Sequence, residues 1–149
     1  MTDVYTLSVS CVDGRYLAGP YGMTLSTPAA TTLGQLAKAI LDTVDFDHDH
    51  LDEFYIASSA YGKRSALVSK TRAELADEQV TDITLSEILP LPKKKKLYYL
   101  FDPGDGWRFE ITASGKTATA MADKSSTHIL EQSGVRPLQY GGDTDEDDA

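Results

Sequence analysis

Two short stretches of this chain hold residue types that could do chemistry. The first runs from Val44 to Phe54 and contains Asp45, Asp47, Asp49, Asp52 and Glu53 together with His48 and His50. Carboxylates and imidazoles at that density suggest a metal site. A calcium loop would use Asp45, Asp47 and Asp49 as its first, third and fifth positions. It fails because His50 stands where the turn needs Gly and Ile56 stands where a bidentate carboxylate must close the shell. A zinc helix of the His-Glu-x-x-His type fails as well, since His48 and His50 are two apart and no helix aligns them. A non-standard site using Asp49 or His50 with distant partners stays open. The competing expectation is a solvated loop after a helix, with His50 and Leu51 packing where the next strand begins.

The second stretch is Asp102-Pro103-Gly104-Asp105-Gly106, followed at once by the only tryptophan, Trp107. Carboxylates three apart in a tight loop can hold a divalent cation or work as an acid/base pair. Turn chemistry explains the same five residues without a ligand, because Asp bonds exposed N–H groups and Gly accepts positive φ.

Other catalytic signatures are missing. No Gly-x-x-x-x-Gly-Lys or Gly-x-Gly-x-x-Gly motif is present to cradle phosphates, and no Gly-x-Ser-x-Gly marks a serine nucleophile. Cys11 sits inside a strand pattern with no evident histidine partner. Lys93 to Lys96 form a basic run before Tyr98 and Tyr99, which could make a small platform for single-stranded nucleic acid. A charged flank that keeps an apolar strand soluble is the simpler account.

The elements that must position these residues can be read from periodicity. Tyr5, Leu7, Val9 and Cys11 alternate with polar residues as in a half-buried strand, and Asp13-Gly14 then suits a tight hairpin turn. A less regular second strand is expected over about Tyr16 to Leu25, with a bulge or edge position at Gly19-Pro20. Thr32 and Gln35 have the spacing of a capping box. After them Leu33, Leu36, Ala37, Ile40, Leu41 and Val44 share one helical face. A third strand is expected at Phe54 to Ile56, then a long, partly ordered connection over about 58–81 with a helical turn at Thr71 to Glu78. Thr84 to Glu87 form a second capping box, stopped by Pro90 and Pro92. Leu97–Phe101 and Trp107–Thr112 read as the two strands of a closing hairpin, with Trp107, Phe109 and Ile111 facing the core. His128 to Gln132 can add a last short element. The order implies one α+β domain over 1–140, an antiparallel or mixed sheet on one main helix with a β-grasp-like order of elements. Residues 141–149 are expected to be a disordered acidic tail.

Composition narrows the function classes. The chain has 149 residues, enough for one domain with a real core. Its net charge of −9 is uneven, because Asp143, Asp145, Glu146, Asp147 and Asp148 supply five negative charges near the end, leaving −4 without them. An acidic body repels phosphate backbones, so nucleic acid is a disfavoured partner. The acidic tail could also dock a basic partner. One cysteine allows no intrachain disulfide, no secretory signal is visible, and no apolar run approaches the ~20 residues of a membrane span. A cytoplasmic protein without membrane contact is the expectation.

Asp49-His50-Leu51 leading to Phe54, followed by Tyr99-Leu100-Phe101-Asp102-Pro103-Gly104-Asp105-Gly106-Trp107, resembles the plasmid pRiA-type ORF-three-like family. Members also carry the label of insertion-element passenger proteins of the TnpR type. Gly134 to Tyr140 is similar to the Gly-x-x-Pro-x-Gln-Tyr ending of shorter members, so the likeness spans about 4–140. The departures are Pro103 in place of the family's usual Phe, Phe109 where many members have His, and Tyr21 to Thr24 in place of a Trp-Arg-Arg segment. If a family site used that histidine, this chain would lack one ligand. The resemblance implies a compact α+β domain of uncharacterised activity. It does not imply a resolvase, since a serine recombinase needs several arginines around its serine and this chain has only Arg15, Arg64, Arg72, Arg108 and Arg136.

The leading expectation is a non-enzymatic interaction or accessory domain associated with mobile elements. It would have no cofactor, and its exposed aromatics and sheet edge would meet a protein partner. The alternative is a divalent-metal-dependent hydrolase or metal-binding protein built from Asp49, His50, Asp102 and Asp105 beside Trp107. That alternative requires the loop after the long helix to meet the closing hairpin turn.

Overall fold

A computed structural model describes residues 2–47, 52–69, 83–114, 117–119 and 127–139, with backbone alone for 2, 65–69 and 117–119. The strands are β1 (Thr2–Asp13), β2 (Tyr21–Pro28), β3 (Asp52–Ala57), β4 (Arg64–Ser69), β5 (Lys96–Phe101), β6 (Trp107–Ala113), β7 (Thr117–Thr119) and β8 (His128–Gly134). They form one eight-stranded sheet in the order β4-β3-β5-β6-β1-β2-β8, with β7 pairing the start of β1. Every pairing is antiparallel. Among the described residues two helices accompany the sheet, α1 (Leu33–Val44) and the four-residue α2 (Leu85–Ile88).

Helix α1 follows its sequence pattern. Thr32 Oγ1 accepts from the Gln35 N–H at 3.1 Å, and Gln35 Oε1 accepts from the Thr32 N–H at 3.0 Å, closing the capping box. Leu33, Leu36, Ala37, Ile40, Leu41 and Val44 are all buried. At about 1.5–3 kcal/mol for each large side chain removed from water, this face contributes several times the roughly 1 kcal/mol of the cap. Packing therefore holds the helix, and the cap decides where it starts. The second capping box lies beside the first: the Leu33 N–H donates to Ile83 O, and the Leu85 N–H to Thr31 O.

The sheet has two unlike faces. Tyr5, Leu7, Val9 and Cys11 of β1 join Met23, Leu25, Leu97, Tyr99, Trp107, Phe109 and Ile111 beneath α1 in the main core. On the opposite face Tyr55, Ala57, Tyr98 and Leu100 form a smaller buried cluster. Trp107, Phe109 and Ile111 lie in the core as their spacing predicted.

Several expectations need correction. The fold is dominated by its sheet, because β4, β7 and β8 extend it beyond the β-grasp-like outline; of the antiparallel or mixed sheet expected, the described residues form the antiparallel one. Strand β2 begins only after Pro20, so Gly19-Pro20 belongs to a loop rather than to a bulge within the strand. Asp13-Gly14 is no tight turn either, since residues 14–20 all connect β1 to β2. Gly14 is required for another reason: a Cβ there would stand 2.0 Å from Trp107 Cε3. Within the connection expected over 58–81, β4 forms instead of loop. The proposed helical turn at Thr71 to Glu78 and the acidic tail at 141–149 lie outside the described residues.

Gly14→Ala should lower stability by about 1–3 kcal/mol, since the indole cannot move without disturbing a packed core. Gly19→Ala, whose Cβ would meet only Val135 at 3.6 Å, should be nearly neutral. Urea unfolding of both variants checks this, and equal midpoints would overturn the packing account.

Candidate functional site

The closing hairpin turn is built by its backbone. Asp102 O accepts from the Asp105 N–H at 2.9 Å and the Gly106 N–H at 2.7 Å. Asp102 and Gly106 take positive φ, +55° and +68°. Both are residue types that tolerate that region, Gly freely and Asp better than most. The β1–β2 loop docks on this turn, its Arg15 N–H donating to Asp105 O at 2.9 Å. Arg15, its own side chain exposed, also meets the half-buried Asp105 carboxylate at 3.6 Å.

Trp107 joins the turn to the end of α1. Phe46 meets its ring edge-on at 5.0 Å between centroids and lies 6.1 Å from the Phe101 ring. Phe46 follows Asp45, which ends the helix in the left-handed conformation with φ +62°. Trp107 is fully buried, and its Nε1–H finds no acceptor among the described residues.

The segment after β8 straps the same helix end. Arg136 donates to Val44 O at 2.7 Å, meeting one of the carbonyls a helix C-terminus leaves unsatisfied. Gln139 is buried; its Oε1 accepts from the Asp47 N–H at 2.6 Å and its Nε2 donates to Asp47 O at 3.4 Å. Gly134 has φ +87°, and a Cβ there would stand 2.0 Å from Pro20 O. A cleft of about 250 Å³ with mixed polar and apolar walls remains between Val44, Asp45, Asp47 and this strap.

The structure therefore brings Asp102, Asp105 and Trp107 into one turn, and the loop leaving α1 reaches it at Phe46. Asp49 and His50 lie outside the described residues, so the meeting of their loop with the hairpin turn that the metal alternative requires falls outside them too. Among the described residues no three His, Cys, Asp or Glu side chains gather closely enough to hold a metal ion. Among them, too, no helix is long and apolar enough to cross a membrane.

Across the sheet, spacing gave no hint of a second network. Tyr55 and Tyr98 stack at 5.3 Å. Arg108 Nε donates to the Tyr55 hydroxyl at 3.1 Å, and its guanidinium lies 4.3 Å from the centre of the Tyr61 ring. The Tyr98 hydroxyl donates to Glu110 at 2.9 Å. Burial, then that bond to Glu110, raises the Tyr98 pKa, so the phenol stays protonated. Tyr98 and Tyr99 are both fully buried, on opposite faces, and neither can stack a base as the nucleic-acid platform required. Cys11 is buried, and desolvation pushes its thiol up to about 12, which removes it as a nucleophile.

Comparison with known proteins adds a family. A family model described as plasmid pRiA4b ORF-3-like protein matches residues 23–142. The fold is similar to that of MM3350, a protein of unknown function from Methanosarcina mazei Go1, with a TM-score of 0.64 and 19% identity. That match covers 89% of this chain and 70% of the other. No curated protein matches the sequence.

The Cys11 thiol fixes a pH dependence. In the unfolded chain it titrates near 9.0, and in the folded protein near 12. Between those values only the native state holds the proton, so its contribution to stability falls as pH rises from about 9. The slope approaches 1.4 kcal/mol per pH unit. Denaturation of wild type and Cys11→Ala across this range should show the extra slope in wild type alone; parallel curves would overturn the assignment.

Proposed function

Given that this chain belongs to the plasmid pRiA4b ORF-3-like family, we propose that it is a non-enzymatic interaction domain whose sheet edge receives a partner. The observation that carries this is β8. It is the outermost strand of the sheet path, and among the described residues no strand lies on its outer side. Six of its seven residues are exposed, among them Ile129 and Leu130, at 39% and 54%. Val135 follows at 53%.

Edge strands present unsatisfied N–H and C=O groups, and proteins guard them with lysines, prolines or bulges. β8 has no lysine or proline; its guards are Glu131 and a bulge at Leu130, where the register to β2 shifts. The occupant that fits is an extended segment of a protein partner, paired through its main chain to β8 and setting apolar side chains against Leu130 and Val135. Association with mobile elements belongs to the same proposal and rests on the family's name alone. A metal-dependent hydrolase built from Asp49, His50, Asp102 and Asp105 keeps only the proximity of Phe46 to Trp107 in its favour.

A photo-crosslinking residue at position 130 should capture one protein that the same residue at exposed Thr112 does not. Once identified and purified, that protein should bind Leu130→Glu at least about tenfold more weakly than wild type, the fold being unchanged by circular dichroism. A purified partner indifferent to Leu130→Glu, or equal capture at both positions, would overturn the proposal.

A further inference from the structure

The opposite end of the sheet carries a charge pattern that the β8 edge does not use. Residues 54–69 and 88–101 contain none of the chain's 23 Asp and Glu but six of its 14 Lys and Arg. The fold sets these two acid-free stretches side by side, because β3 pairs β5 with Ala57 opposite Lys96 and pairs β4 with Ala57 opposite Arg64. At the usual spacing of strands, the Lys96 and Arg64 backbones stand about 10 Å apart, one on each side of Ala57.

The lysines before β5 sit in a defined turn. The Lys95 N–H donates to Pro92 O at 3.0 Å, and Lys94 takes φ +66°. Two cations of this end are already balanced, Arg64 by Glu53 at 2.6 Å and Lys96 by Glu110 at 3.5 Å. Lys63, Lys93, Lys94 and Lys95 form no ion pair among the described residues, and Lys63, Lys93 and Lys94 are exposed. Among its described residues, an acidic protein thus presents one end with several positive charges outside ion pairs. Such a field draws an anionic partner and orients it, while the remaining surface repels it.

We infer that this basic end, centred on Lys63 and Lys93–Lys95, binds a carboxylate-rich extended segment of a protein partner. A phosphate backbone fits less well. Stacking platforms for single strands need exposed aromatic faces. Tyr98 and Tyr99 are buried, and the exposed Tyr61 already has Arg108 against its ring. A long polyanion would also run off the patch onto an acidic body, whereas a short acidic segment stays on it. β4 is the outermost strand on this side of the sheet path, and among the described residues no strand lies beyond it, so its edge offers main-chain pairing to an extended occupant. The inference does not depend on the β8 edge, which lies at the other end of the sheet.

The test is fluorescence anisotropy on the full chain with three labelled probes: a glutamate-rich peptide, a neutral peptide of the same length, and an oligothymidylate of the same charge. The glutamate-rich peptide should bind at low salt, and weaken as salt rises. It should weaken about tenfold with Lys93→Glu/Lys94→Glu, and little with Lys38→Glu, which reverses a lysine on α1. Absence of binding, equal binding of the neutral peptide, or indifference to the double reversal would each overturn the inference. Tighter binding of the oligothymidylate would also overturn it and assign the surface to nucleic acid. So would binding that appears only when Asp143, Asp145, Glu146, Asp147 and Asp148 are all changed to their amides, because the chain's own acidic end would then be the occupant.

Discussion

The contact on which the rest depends is the burial of Trp107 between the backbone of Gly14 and the ring of Phe46. An indole removes more apolar surface from water than almost any other side chain, and here it does so where three connections converge. The closing hairpin turn begins its return strand at Trp107. The β1–β2 loop gives up a side chain at Gly14 to let the indole in, and α1 ends just in time for Phe46 to close it from the third side. Each of these loops has polar backbone that needs partners, and the same convergence supplies them. Asp105 O takes the Arg15 N–H, and Gln139 takes both backbone groups of Asp47. The Trp107 indole N–H, without an acceptor among the described residues, is a polar cost that this much apolar burial outweighs.

That convergence accounts for the acidic turn. Asp102 and Asp105 have the spacing of a cation site, yet the turn uses Asp102 through its carbonyl and its positive φ, and Asp105 through its carbonyl and its pairing with Arg15. The likeness of Gly134–Tyr140 to a family ending has a physical basis of the same kind. Gly134 permits close approach to Pro20, Arg136 meets the end of α1, and Gln139 ties down Asp47. These residues hold a loop in place, and nothing in their geometry requires a reaction.

What could be read from the chain was local. Helix α1 was legible because six apolar residues keep helical spacing behind a Thr–Gln box, and the hairpin around 102–106 because alternation resumes on both sides of turn residues. β4 was not legible, since Arg64–Ser69 shows no alternation and takes its place as an edge beside β3. β8 was seen only in part, because the bulge at Leu130 breaks its period. The role of Gly14 was invisible for a different reason. Its partner, Trp107, is brought to it by tertiary packing, and glycine before a loop looks the same whether it serves φ or close approach. The Arg108–Tyr55 bond joins positions 53 apart and has no sequence signature at all. Tyr98 and Tyr99 illustrate the limit well: adjacent aromatics after a lysine run look like a stacking surface until the pleat sends them to opposite, buried faces.

The distribution of satisfied and unsatisfied groups then says where activity can reside. Cys11 is neutral and buried, Tyr98 is held protonated against Glu110, and Asp105 is engaged in the turn. Groups committed in this way gain nothing further from a small ligand without first breaking structure. By contrast, an edge strand leaves backbone hydrogen-bonding capacity unused, and lysines without carboxylates leave field unbalanced. Both can be satisfied by a second chain at no cost to the core. β4 and β8 are opposite ends of one antiparallel sheet path, so a partner on one edge would sit apart from a partner on the other. Under the two proposals above, the unused capacity at these two separated edges would hold two macromolecules in register.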